Sequence, residues 1–71
     1  MKREIQKALT ATPFLPFAVI TSDGARLEIK HPENAMLTES GFYVHLGNDE
    51  TVRVALLHVT QVLITEPSNA N

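Results

Sequence analysis

Seventy-one residues without a cysteine leave room for one small domain, and they exclude disulfides, thiolate metal sites, thiol redox centres and a cysteine nucleophile. Charged residues make up 20% of the chain and hydrophobic residues 44%, a globular rather than a disordered balance. The net charge of −2 lacks the basic footprint of a dedicated nucleic-acid binder.

That charge is unevenly spread. Residues 1–30 carry five cations against three carboxylates, a net of +2, and residues 31–71 carry one against five, a net of −4. Such a dipole favours contacts between molecules, although a solvated surface with no selected pattern explains it as well. Lys2 and Arg3 are followed by Glu4 and Gln6 rather than by the apolar run of a signal peptide. The apolar stretches are also too short to span a bilayer as a helix. The expected setting is the cytoplasm.

In chain order, residues 2–9 read as a short helix, with Ile5, Ala8 and Leu9 at i, i+3 and i+4 and charges on the other face. So short a helix must dock on something. Pro13 disfavours helical geometry at Thr12 and ends it. Pro13-Phe14-Leu15-Pro16-Phe17 holds the chain extended and lacks two backbone donors. It reads as a proline-rich recognition ligand or as a rigid connector whose aromatic rings plug the core. The connector is the reading adopted.

Residues 17–22 and 25–30 form an expected hairpin around Asp23-Gly24, a two-residue turn signal. Leu27 and Ile29 face inward, and parity puts His31 on the buried side. Pro32 suits the start of one helical turn, with Glu33 in it. A short strand is expected over Ala35–Thr38, then a turn at Glu39-Ser40-Gly41. Phe42–Leu46 alternates, with Phe42, Val44 and Leu46 inward and Tyr43 and His45 outward. After the polar loop Gly47–Glu50, Thr51–Ala55 pairs back with Val52 and Val54 inward. Leu56-Leu57-His58 reads as one tight helical turn. Val59–Thr65 is a closing strand, apolar on both parities at its end and so expected to be covered on both sides. Residues 1–65 thus make a single domain, with a helix at 2–9 and a β-rich part at 17–65, and 66–71 a flexible tail.

A helix before about five short antiparallel strands is a mostly β, α+β pattern. It resembles a small Sm-like barrel, and the single turn before the last strand resembles the related SH3-like type. The alternative is an open antiparallel sheet with one helix packed on it; both need the same inward residues. The ordered set Pro13-Phe14-x-Pro16-Phe17, Asp23-Gly24, His31-Pro32-Glu33 and Leu56-Leu57-His58-Val59-Thr60 also resembles a family of short uncharacterised bacterial proteins. That resemblance covers most of the chain. It implies a bacterial origin and a free-standing domain, and no activity.

Chemistry is sparse in the sequence. A His31–Glu33–His58 cluster is the one candidate zinc site, and it lacks ligand spacing such as His-x-x-His. Histidines beside breaks in a β pattern more often cap strand ends. No metal or other cofactor is expected. Ser22, Ser40 and Ser68 sit in no nucleophile motif, and Gly24, Gly41 and Gly47 are solitary turn residues rather than a phosphate loop. The reading is therefore a non-catalytic interaction module that self-associates or binds a protein partner, with Phe14, Leu15, Leu57, Leu63 and Ile64 contributing to the interface. The alternative is nucleic-acid binding, with Lys2, Arg3, Lys7, Arg26 and Lys30 on phosphates and Tyr43 as a stacking face.

Overall fold

Ile5 and Ala8 lie one turn apart on helix α1, Lys2–Thr10, and are the helix residues buried in the core. A computed structural model describes residues 1–64; Thr65 of the expected closing strand and the expected tail 66–71 lie outside the described residues. Glu4 in the first turn of α1 and Lys7 in the last complement the helix dipole. The helix gives way to extended backbone at Ala11, and the Thr12–Pro13 peptide bond is cis. The Phe14 ring stands edge-on to Phe17, with centroids 6.0 Å apart and planes at 63°. Half-buried Phe14 packs on the core, as the connector reading requires.

Six strands follow: β1 (Phe17–Thr21), β2 (Arg26–Ile29), β3 (Ala35–Leu37), β4 (Gly41–His45), β5 (Thr51–Ala55) and β6 (Val59–Ile64). Short 3-10 turns, Pro32–Asn34 and Leu56–His58, separate β2 from β3 and β5 from β6. All pairing is antiparallel, in two three-stranded sheets of order β2-β1-β6 and β3-β4-β5.

The barrel expectation is corrected here in favour of the open arrangement. The turn at Pro32–Asn34 interrupts what a barrel needs as one continuous bent strand, and the turn at Leu56–His58 parts β5 from β6. Each ladder consequently stops within its own sheet.

Phe17, Val19 and Ile29 of the first sheet join Phe42, Val44 and Val54 of the second in one core, with Ile5, Ala8 and Val59. The first sheet ends in the edges β2 and β6, the second in β3 and β5. Helix α1 packs against β3 and β6, one edge from each sheet. The other two edges, β2 and β5, line an open cleft.

Other expectations are corrected as well. The first hairpin turns through three residues, Ser22-Asp23-Gly24: the Thr21 amide donates to the Ala25 carbonyl at 3.0 Å and the Gly24 amide to the Thr21 carbonyl at 2.9 Å. Gly24 alone takes a left-handed backbone there, at φ 87. A two-residue type I′ turn would need positive φ at Asp23 as well, which favours the three-residue form. His31 is exposed, because β2 ends at Ile29 and the inward parity stops with it. Leu46 is 42% exposed. It lies past the last residue of β4, where its amide closes the next hairpin onto the Glu50 carbonyl at 2.8 Å. The end of β6 is not covered on both sides: Leu63 and Ile64 are exposed.

Phe42 is fully buried between the layers. Cutting such a ring to a methyl group costs about 3–5 kcal/mol, which equals the whole stability of about 3–5 kcal/mol that a core of this size supplies. Phe42→Ala is expected to abolish the cooperative urea transition seen by circular dichroism at 25 °C; a transition shifted only slightly would contradict this core.

Candidate interaction surface

Along the seam that α1 closes, a groove of about 270 Å³ runs between the helix and β6. Its wall is set by strand alternation. Val62 and Ile64 share a face of β6, opposite Val19 and Phe17 of β1. Leu15, from the extended connector, lines the groove beside them. The helix contributes Ala8, Ala11 next to its end, and Glu4 and Lys7. The floor is thus made of methyl groups, the walls of Leu15 and Ile64, and the charged residues belong to the helix.

Of the five residues singled out from sequence, Leu15 and Ile64 come together in this groove. Leu63 lies next to them in sequence but on the opposite face of β6, where it pairs with Ala18. Leu57 is 83% exposed in the Leu56–His58 turn. That turn precedes β6, so the strand's length of about 17 Å separates it from Ile64. Phe14 belongs to the core. Ala8, Ala11 and Val62 were not singled out; the helix spacing that placed Ala8 inward was their only signal.

The cations of the nucleic-acid alternative do not gather. Lys2, Arg3 and Lys7 are on α1, against β3 and β6, whereas Arg26 on β2 and Lys30 just after it are at the far edge of the first sheet. Lys2 meets Glu39 at 3.8 Å and Arg26 meets Glu28 at 3.1 Å. Tyr43, half-buried on β4, pairs across the ladder with Arg53, whose guanidinium carbon is 6.0 Å from the ring centroid. Gly41 makes room for that guanidinium, since a Cβ there would come within 3.2 Å of Arg53 Nε.

His31 and Glu33 stand at the Pro32–Asn34 turn and His58 at the Leu56–His58 turn. Among the described residues no three His, Asp or Glu side chains are grouped to hold a metal. Both histidines serve the breaks through their backbones instead: the His31 carbonyl accepts from the Asn34 amide at 3.0 Å, and the His58 carbonyl from the Ser22 amide at 2.8 Å.

The cleft between β2 and β5, about 440 Å³, has an apolar lining of Leu27, Val52 and Val54. Thr21, Asp23 and His58 add polar groups. The Thr21 hydroxyl donates to Asp23 Oδ1, and the Ala25 amide reaches the Thr21 hydroxyl at 3.2 Å and Asp23 Oδ1 at 3.4 Å. The Thr21 hydroxyl, then the Ala25 amide, hold the Asp23 carboxyl below its ordinary value; nearby His58 adds a smaller pull the same way. Asp23 Oδ1 is thereby committed to holding the hairpin turn. Comparison of the chain with family models, curated proteins and solved structures finds no match in any of the three.

A carboxyl whose folded-state pKa is lowered stabilises the fold above its unfolded pKa, and that contribution is lost as pH falls through the folded pKa. Asp23→Asn is therefore expected to lower the melting temperature at neutral pH. The difference from the unaltered protein should shrink as acid protonates Asp23. Thermal melts across the acidic range check this; a difference that does not change with pH would contradict the turn's use of the charge.

Proposed function

We propose that the protein is a non-catalytic interaction module that self-associates. The observation that carries this reading is the apolar groove between α1 and β6, where Leu15 and Ile64, the latter 49% exposed, stand beside Ala8 and Ala11. An exposed apolar groove on a small domain favours burial against another surface. The edge position of β6 supports it further, because an edge strand presents unpaired backbone groups. The commitment of Asp23 to its turn favours a binding role over catalysis. The scatter of the cations and the placing of Arg53 beside the Tyr43 ring weigh against the nucleic-acid alternative.

The setting proposed is the cytoplasm, and the origin proposed, on the resemblance drawn from the sequence, is bacterial. No helix among the described residues is long and apolar enough to cross a membrane.

Sedimentation velocity between about 5 and 500 µM, the range in which small interfaces form, tests self-association. The expected result is a mass rising with concentration above the 7.8 kDa of one chain. A single 7.8 kDa species throughout would contradict the proposal.

A further inference from the structure

Resting on that self-association reading, we infer that the α1–β6 groove is the contact surface and that a second copy of this chain fills it about a two-fold axis. Two features of the groove point to a copy rather than to an unrelated partner.

The first is charge. Glu4 and Lys7 both line the groove, with opposite signs and one helical turn apart. A two-fold axis perpendicular to the helix and passing between Glu4 and Lys7 reverses the order of residues on the facing helix, so Glu4 of each copy meets Lys7 of the other. A foreign partner would have to bring the same pattern; a second copy carries it already. Both groups are available for this. Among the described residues Lys7 has no carboxylate partner, and Glu4, 60% exposed in its side chain, meets only the chain's own N-terminal ammonium, at 4.0 Å.

The second is shape. Ala8 and Ala11 make a low floor, and Leu15 and Ile64 stand beside it. A second copy seated on this groove covers the Ile64 side chain. Ile64 is 49% exposed in the single chain, so that seating removes apolar surface from water in both copies at once. The interface is isologous and closes at two subunits.

Charge reversal in the full chain tests this by sedimentation. Glu4→Lys places two lysines against two lysines across the axis, and Lys7→Glu places two glutamates against two glutamates. Each variant alone is expected to dimerise about tenfold more weakly, since favourable pairs are lost and like charges face each other. An equimolar mixture of the two variants restores both cross-pairs and is expected to dimerise within about twofold of the unaltered protein. The double variant Glu4→Lys/Lys7→Glu keeps the cross-pairs while opposing the helix dipole at both ends. It is expected to dimerise like the unaltered protein, which separates pairing from any loss of helix. Circular dichroism checks that each variant is folded. Unchanged association of the single variants, or no recovery in the mixture, would overturn this surface and leave self-association standing. A monomeric unaltered protein would overturn self-association itself.

Discussion

Phe17, Val19 and Ile29 on one sheet meet Phe42, Val44 and Val54 on the other, and among the described residues no further layer backs either sheet. Three short strands alone bury too little to persist in water. Each sheet therefore depends on the other for the face that carries its large buried side chains, and the remaining elements are arranged around that contact. The two 3-10 turns carry the chain from sheet to sheet. Helix α1 fills one seam between the sheets with Ile5 and Ala8, both buried in the shared core.

That arrangement explains why the candidate surface lies where it does. A nine-residue helix that spends its large apolar residues, Ile5 and Leu9, on the core has small residues left where it borders β6. Edge strand β6 supplies Val62 and Ile64 to the same border, and the connector supplies Leu15. A shallow apolar groove at the helix–strand seam follows from having too few large side chains to close it. The opposite seam is left open for a related reason: no second helix exists among the described residues to cover β2 and β5.

The elements were legible because their signals are local. Alternation in Phe42-Tyr43-Val44 and the breaks at His31-Pro32 and Leu56-Leu57-His58 act over a few residues, and the strands and both turns stand close to where they were expected. What was not legible depends on where strands end and on which edges meet. Leu46 and His31 carry inward parity but fall outside their strands, where parity has no sheet to refer to. The Asp-Gly signal announces a turn, yet its length is set by the pairing of Ile20 with Arg26 on the strands around it. Open sheets and a closed barrel share one inward pattern, so the choice rests on pairing between distant strands. The interface residues were only partly legible for the same reason. Leu15 and Ile64 are distant in sequence and meet in the fold, whereas adjacent Leu63 and Ile64 part to opposite faces.

The central claim is that two copies meet through the α1–β6 groove. An isotope-filtered nuclear Overhauser experiment on a mixture of labelled and unlabelled chains addresses it most directly, because only contacts between copies give signal. The account predicts cross-peaks between the methyl groups lining the groove of one copy, those of Ala8, Ala11, Leu15 and Ile64, and groove-lining groups of the other. Intermolecular cross-peaks confined to other residues, such as Leu57 or the lining of the β2–β5 cleft, would contradict it.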